Sequence, residues 1–279
     1  MKQINRARIE AFHTYLINEE KAAATISKYL RDVNAFSVWL GERELTKQAV
    51  LQYKERLTED HAPASVNSVL SSLNCFFQCN AWYGLRVKNL KIQRQIFTSE
   101  EKELSKTEYE KLLIAAKNGR NERLYLMMQT ICSTGIRVSE VRFITAEAVA
   151  RGVAEICCKG KQRRVFLPRT LCIMLKWFLK GQKRKSGAVF LTKKGNPPDR
   201  SNIWSDMKKL CKTAGVSEKK VFPHNLRHLF ARTYYSLQKD VVRLADILGH
   251  SSINTTRIYT METGELHRKQ IQRLGLLRC

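Results

Sequence analysis

The chain has 279 residues, which is long enough for two domains that each bury a core. Hydrophobic residues make up 43% of it, which excludes a disordered chain, and no run of about 18 apolar residues or apolar leader predicts a membrane span or secretion. The formal net charge of +25 indicates a polyanionic partner. Residues 99–279 contribute +20 of that charge, although charge alone fits a ribosomal protein equally well.

The first 88 residues have the apolar spacing of amphipathic helices. One helix carries Phe12 and Leu16, and the next is expected to end at Gly41. Thr46 is placed to cap a third helix, and Pro63 to open a fourth. The sequence therefore predicts a small helical bundle over residues 1–88.

A polar and basic stretch without helical periodicity follows over residues 89–103, and we interpret it as a linker between domains. The second domain is predicted to cover residues 104–279. A capping box formed by Ser105 and Glu108 indicates that a helix begins there.

A small β-sheet is expected inside the second domain. Strands are predicted at residues 153–158 and 164–167, around a polar turn at residues 159–163. Most of the remainder has helical spacing, with interruptions at Pro223 and Gly249. The prediction is a mainly α fold with a small β-sheet, in which a helical bundle precedes an α+β domain.

The eight cysteines do not have the spacing of a metal site or of a disulfide framework. Cys75 and Cys79 lie one helical turn apart, and no Cys-x2-Cys pair occurs in the sequence. We therefore expect free thiols in a reducing cytoplasm and no bound metal.

A group of residues suited to phosphate chemistry lies near the C-terminus. His224, Arg227 and His228 stand in one run, His250 follows later, and Tyr259 comes nine residues after it. A tyrosine hydroxyl can attack a phosphodiester while fixed guanidinium groups stabilise the charge that develops. Arg137, in residues 134–140 (TGIRVSE), is a second candidate cation.

Four segments in this order and spacing resemble the tyrosine recombinase (phage integrase) family. They are residues 134–140 (TGIRVSE), 224–228 (HNLRH), 248–251 (LGHS) and 255–259 (TTRIY). The likeness covers nearly the whole chain. The bundle resembles the family's SAM-like core-binding domain, and residues from about 104 onward resemble its catalytic domain.

The resemblance implies a role for each matching residue. Arg137 and Arg227 match the arginines that hold the scissile phosphate, and Tyr259 matches the nucleophile that forms a 3′-phosphotyrosyl link. His224 and His250 match the family's histidine positions, and either one can accept the tyrosine proton.

The remaining site residues are assigned less directly. Lys159 matches the hairpin lysine that protonates the departing 5′ oxygen, and Lys161 is the alternative. Glu140 matches a supporting acidic position. His228 is placed either near the phosphate or in a structural hydrogen bond within its helix.

Several basic residues are predicted to contact DNA phosphates. Arg163 and Arg164 are interpreted as phosphate contacts or as a solvated strand face, and Lys91 and Arg94 lie in the basic linker.

The resemblance also implies the partners and the energetics. Double-stranded DNA, a homotetramer on paired DNA sites and accessory DNA-binding proteins are the expected partners. No cofactor is expected, because a phosphotyrosyl link conserves the energy of the phosphodiester and the sequence has no Gly-x4-Gly-Lys-Ser/Thr loop.

Two expectations concern the ends of the chain. The bundle begins almost at Met1, so we expect a compact recombinase without an arm-binding domain. Residues after Tyr259, with Leu266, Ile271 and Leu274, resemble the family's tail, whose helix docks on a neighbouring protomer.

The resemblance implies a site-specific recombinase that cleaves and rejoins DNA. The main alternative function is that of a type IB topoisomerase, which uses the same chemistry without a defined DNA site. A DNA-binding protein that has lost catalysis would show damaged motifs, and an RNA-binding protein would not explain the motif spacing. Tyr234 and Tyr235 are the main rivals of Tyr259 as nucleophile, but their surroundings resemble a structural helix of the family.

Overall fold

The structure is a computed structural model. The residues that it describes are 2–92, 103–158, 161–259 and 272–273, without the side chains of Cys158 and Lys161. The chain divides into two compact units, Met1–Arg94 and Gln95–Cys279. No helix within the described ranges is long and apolar enough to cross a membrane.

Two predictions fall on other residues. Most of the predicted linker, and the predicted docking tail with Leu266, Ile271 and Leu274, lie outside the described residues. The domain boundaries at residues 1–88, 89–103 and 104–279 therefore stay a prediction.

The first unit is a bundle of helices, as the periodicity predicts. Thr46 caps its third helix by accepting a hydrogen bond from the backbone N–H of Ala49, and Pro63 occupies the first turn of the fourth. Gly41 ends the second helix. The helices are α1 (Arg6–Asn18), α2 (Ala23–Leu40), α3 (Lys47–Asp60) and α4 (Pro63–Cys79).

Aromatic side chains fill the centre of this bundle. Phe36 of α2 lies 4.9 Å from Tyr53 of α3 and 6.2 Å from Phe77 of α4, measured between ring centroids. Phe12 of α1 meets Phe76 of α4 edge-on at 5.2 Å. These contacts join all four helices. Since aromatic rings bury more area than other side chains, they contribute much of the packing energy of the bundle.

The chain beyond the bundle is held against α4 by two asparagines. The side-chain amide of Asn74 exchanges two hydrogen bonds with the backbone of Val87, at 2.8 and 2.9 Å. Asn67 does the same with Leu90, at 2.9 and 2.7 Å. Each side-chain amide donates one hydrogen bond to the backbone and accepts one from it, as a paired β-strand residue does. The bundle therefore fixes the chain as far as Leu90.

The second unit is mainly helical with one hairpin. Ser105 and Glu108 form the predicted capping box at its first helix. The described elements are α5 (Lys106–Asn118), α6 (Glu122–Thr134), α7 (Ala146–Arg151), β1 (Val153–Cys158), β2 (Lys161–Phe166), α8 (Arg169–Gly181), α9 (Arg200–Ala214), α10 (Pro223–Gln238), α11 (Val241–Leu248) and α12 (Ile253–Thr256).

The antiparallel pair of β1 and β2 corrects one prediction. Val153 pairs with Phe166 and Cys158 pairs with Lys161, so β2 begins three residues earlier than the predicted start at residue 164. The polar side chains of β2 suggested a turn, but alternate residues of an edge strand face solvent and need not be apolar. Val165 faces inward and is buried, whereas Arg164 and Phe166 are exposed.

Gly135 ends α6 in a left-handed conformation, with φ of 67°. A Cβ atom at this position would lie 2.5 Å from Cδ1 of Phe230 on α10 and 3.0 Å from Cδ2 of Leu248 on α11. Only glycine allows these three helices to meet so closely. The next residues of the chain form a 3₁₀ helix over Val138–Phe143, directly after Arg137.

We predict that Gly135→Ala lowers the free energy of unfolding by about 2–4 kcal/mol, because strain in the left-handed region adds to overpacking against Phe230. The matched control is Gly152→Ala: Gly152 has φ of 72° but nothing within 4 Å of its Cβ position. It should cost only about 1 kcal/mol. Urea unfolding of the full chain measures both, and equal losses would contradict the packing explanation.

Candidate active site

Arg137 is oriented by a carboxylate three residues further along the chain. Its guanidinium Nη1 donates to Oε1 of Glu140 at 3.0 Å, and its backbone N–H donates to Oε2 at 2.7 Å. Nη2 lies 3.4 Å from the carbonyl oxygen of Gly249. The Arg137 side chain remains 39% exposed, so its guanidinium is fixed on one side and open on the other.

Glu140 is buried, with a side chain 1% exposed. Burial would raise the pKa of its carboxyl, but the backbone N–H of Arg137 and the charge of Arg163 hold that pKa below its usual range. Glu140 is therefore ionised at neutral pH and can carry the hydrogen bonds of both arginines.

Arg163, which is predicted to be a phosphate contact or part of a solvated strand face, is largely buried. Its side chain is 15% exposed, and Nη2 donates to Oε2 of Glu140 at 2.6 Å. Nη1 donates to the carbonyl oxygen of Ile247 at the end of α11. Because both terminal nitrogens are bound inside the protein, Arg163 does not lie on a solvated strand face. Its predicted contact with a DNA phosphate stays a prediction.

Arg227 is the largest fully buried side chain among the described residues, with 1% exposure. Its Nη1 donates to the carbonyl oxygen of Gly135 at 2.6 Å, and its Nη2 donates to that of Leu248 at 2.8 Å. Burial, and then the charge of Arg137, lower its pKa to about 10. It remains a cation at neutral pH, held between the ends of α6 and α11.

His250 is hydrogen-bonded through both ring nitrogens. Nε2 lies 2.9 Å from Nη2 of Arg227, and Nδ1 lies 2.7 Å from Oγ1 of Thr256, which is fully buried. Since a guanidinium can only donate, Nε2 accepts and Nδ1 carries the proton that is donated to Thr256. Burial and the charge of Arg227 lower the pKa of His250 to about 4, so this histidine is neutral at physiological pH.

Tyr259 lies between two histidine rings. His228 meets the Tyr259 ring edge-on at 4.9 Å, and His250 stacks on it at 6.1 Å with an interplanar angle of 15°. Tyr259 is 4% exposed and packs with Leu244 and Leu248. Its ring position is therefore fixed by α10, α11 and the turn that follows Gly249.

His224 and His228 lie on one face of α10 and meet edge-on, with ring centroids 4.6 Å apart and an interplanar angle of 65°. Burial lowers the pKa of both, with further contributions from Arg227 to His224 and from His224 to His228. The pKa of His228 falls to about 4. Within the described part of the chain, the buried Nε2 of His228 has no hydrogen-bond partner. One prediction for His228 is a structural hydrogen bond within its helix. Nε2 does not form such a bond.

The other predicted residues are placed less fully. Lys159 and Arg94 lie outside the described residues, as does the side chain of Lys161. Lys91 and Arg164 are exposed, the first in unit Met1–Arg94 and the second on the outer face of β2. The proposed assignments of these residues stay predictions.

Sequence reasoning missed Thr256 and the position of Arg163. The β-strand alternation gives a signal for Arg163, because it shares its face with buried Val165 while Arg164 does not. No sequence signal singles out Thr256, since its role depends on where His250 is brought by the turn at Gly249.

The arrangement can stabilise an anion beside a nucleophile. Arg137, Arg227, His250 and Tyr259 come from four separate segments and meet in the second unit. Fixed guanidinium groups suit the oxygens of a phosphoryl transition state, and neutral histidines can accept a proton from the tyrosine.

Comparison with protein families agrees with this geometry. The model described as Phage integrase family matches residues 102–265, and the one described as Phage integrase, N-terminal SAM-like domain matches residues 9–84. A curated relative, Tyrosine recombinase XerA of Pyrococcus horikoshii, is 28% identical over 287 residues, covering 98% of this chain and 95% of its own.

Two solved structures share the fold. The XerH site-specific recombinase bound to difH substrate in a pre-cleavage complex has a TM-score of 0.69 at 20% identity, covering 95% of this chain and 84% of its own. A lambda integrase tetramer bound to a Holliday junction has a TM-score of 0.73 at 17% identity, covering 91% and 76%.

We predict an acid-dependent loss of stability that originates in this site. Because the folded-state pKa of His228 is about 4 and an ordinary histidine titrates near 6.5, the unfolded chain binds more protons between these values. The contribution of His228 to the free energy of unfolding is therefore fully present above pH about 6.5. It falls as the pH drops toward about 4.

His228→Phe should reduce this slope by at most about 1.4 kcal/mol per pH unit, measured by urea unfolding across that range. Leu237→Phe, a change at an exposed residue of α10 that does not titrate, is the control and should keep the wild-type slope. Identical slopes in wild type and His228→Phe would contradict the prediction.

Proposed function

Since the chain belongs to the phage integrase family and is a site-specific tyrosine recombinase, we propose that Tyr259 is the nucleophile with which it cleaves DNA. The observation that supports this role is the convergence of Tyr259, His250, Arg227 and Arg137. Tyr259 is in ring contact with two histidines, and one of them is bound to the buried Arg227.

In the proposed cleavage step, the Tyr259 oxygen forms a bond to the scissile phosphorus as its proton leaves. The bond from phosphorus to the 5′ oxygen breaks, and this oxygen takes a proton from Lys159, the proposed general acid. The products are a 3′-phosphotyrosyl link and a free 5′-hydroxyl. Rejoining reverses the step, with a 5′-hydroxyl as nucleophile and tyrosine as leaving group. No ATP is consumed, because one phosphate ester replaces another.

Arg137 and Arg227 would stabilise the charge on the non-bridging phosphate oxygens. Arg137 keeps an open side, whereas Arg227 is buried and binds two backbone carbonyls. A phosphate cannot touch a guanidinium that is closed to solvent. DNA docking therefore requires a shift of the segment around Leu248 and Tyr259 that uncovers Arg227.

The histidines are suited to accept the Tyr259 proton. Burial keeps His224, His228 and His250 in their neutral forms at physiological pH. The Nε2 lone pair of His250 is occupied by Arg227, but the same shift that uncovers Arg227 would release it. His224 is the other candidate acceptor: desolvation of its ring lowers its pKa, although the residue as a whole is exposed.

We propose that the working assembly is a homotetramer on two paired DNA sites. The proposal is supported by the similar fold of lambda integrase, which forms a tetramer on a Holliday junction. Exposed Lys91 and Arg164, together with Arg94, would contact DNA phosphates. The cytoplasm is the proposed location, because the DNA substrate is there. Accessory DNA-binding proteins are a further proposed class of partner.

The type IB topoisomerase alternative has no support. The relative described above is named a recombinase, and the two structures described above are a recombinase and an integrase.

We predict that Tyr259→Phe abolishes the covalent protein–DNA adduct without reducing DNA binding, because the variant loses only the attacking oxygen. The assay uses nicked duplexes tiled across the DNA that flanks the gene, in which cleavage releases a short fragment and traps the adduct. Tyr235→Phe removes a hydroxyl from α10 and should still form the adduct. An adduct that persists in Tyr259→Phe would refute the assignment.

We predict that Lys159→Ala slows cleavage of an ordinary phosphate by about 100- to 10,000-fold, the range of general acid catalysis. A 5′-phosphorothiolate substrate should restore the rate, because its sulfur leaving group needs no proton. Lys161→Ala is the matched control and should show neither effect. Rescue of Lys161→Ala instead would assign the general acid to Lys161.

A further inference from the structure

Arg163 is a cation inside the active site for which the proposed reaction has no use. It lies on the inward face of β2 beside Val165, and both of its terminal nitrogens are bound within the protein. Among the described residues, its buried Nε has no hydrogen-bond partner. An arginine with this degree of burial is costly, so its position calls for a physical explanation.

The surroundings of Arg163 are built to receive its side chain. At Gly249, where φ is 64°, a Cβ atom would lie 2.5 Å from Cδ and 2.8 Å from Nε of Arg163. The glycine between Leu248 and His250 thus provides both the left-handed turn and the space for Arg163. The Arg163 side chain passes this turn and reaches Glu140 on the other side.

The charges at Glu140 suggest what Arg163 does. Glu140 is well placed to orient Arg137, but a buried carboxylate beside a phosphate-binding cation would also cancel its charge. A second guanidinium on Oε2 changes the balance. Arg137, Glu140 and Arg163 together carry one net positive charge, whereas Arg137 and Glu140 alone would carry none.

We propose that Arg163 is a positioning residue of the strand-transfer site, which neutralises Glu140 so that this carboxylate can orient Arg137 without cancelling its charge. The proposal rests on the phosphate-binding role of Arg137 proposed above. Arg163 acts through Glu140 and touches neither DNA nor Tyr259.

The test measures single-turnover adduct formation at saturating protein, on the tiled duplex that wild type cleaves best, with binding followed by gel shift. Arg163→Met should slow cleavage by about 10- to 100-fold at unchanged DNA affinity, because Arg137 is then paired one-to-one with Glu140. Arg151→Met removes the same charge from an exposed position at the end of α7 and should cleave as wild type does.

The decisive variant is the double change Arg163→Met with Glu140→Gln. Glutamine has a single acceptor oxygen and loses one of the two hydrogen bonds to Arg137, so the double variant is compared with Glu140→Gln. Without the carboxylate charge, Arg163→Met should change the cleavage rate by less than about twofold. A purely structural role of Arg163 in holding Ile247 predicts the same slowing in both backgrounds. A double variant that is slower than Glu140→Gln by as much as Arg163→Met is slower than wild type therefore overturns the proposal, as does a loss of DNA affinity that accounts for the slower cleavage.

Arg163→Lys covers the case in which Arg163→Met does not fold, which thermal unfolding will reveal. Lysine keeps the charge beside Glu140 but cannot reach Ile247 at the same time, so it should retain most of the cleavage rate. A loss as complete as that of Arg163→Met overturns the proposal. If the wild-type adduct persists in Tyr259→Phe, the proposed function fails; if only the Arg163 results fail, the fault lies with this inference alone.

Discussion

The carboxylate of Glu140 is the single anion in an otherwise cationic arrangement of Arg137, Arg163 and Arg227 within the described part of the site. Three like charges could not be packed together at reasonable cost, so these cations need at least one compensating charge. Glu140 supplies it from the turn directly after Arg137, where its carboxylate also binds a backbone N–H. The hydrogen bonds of this ion cluster connect β2, the turn at Gly249 and the 3₁₀ helix after α6.

Arg227 shows how a third cation is accommodated without a carboxylate in direct contact with it. Its terminal nitrogens donate to the carbonyl oxygens of Gly135 and Leu248. These carbonyls are available because the last carbonyls of a helix have no intrahelical partners. The negative ends of the α6 and α11 dipoles point at the same guanidinium. The ends of two helices thus offset the unfavourable desolvation of one buried arginine. They also place this arginine next to His250.

Most of the fold follows from local sequence. The caps at Thr46 and Ser105, Pro63 at the start of α4 and the glycine stops predicted the helix boundaries, because these residues act within one turn of the chain. The start of β2 could not be read in this way. Polar residues on an edge strand look like a turn until the pairing with β1 is known.

The sequence by itself determined the family, the two-part organisation and the identity of the candidate site residues, since motif order and spacing are properties of the chain alone. Tertiary structure decided how these residues share their charges. Arg163 and Arg164 are adjacent and chemically identical, yet one binds Glu140 and the other faces solvent. Thr256 gains its contact with His250 only after the turn at Gly249 brings the two together. Burial and pairing depend on contacts between residues far apart in sequence, which no local pattern records.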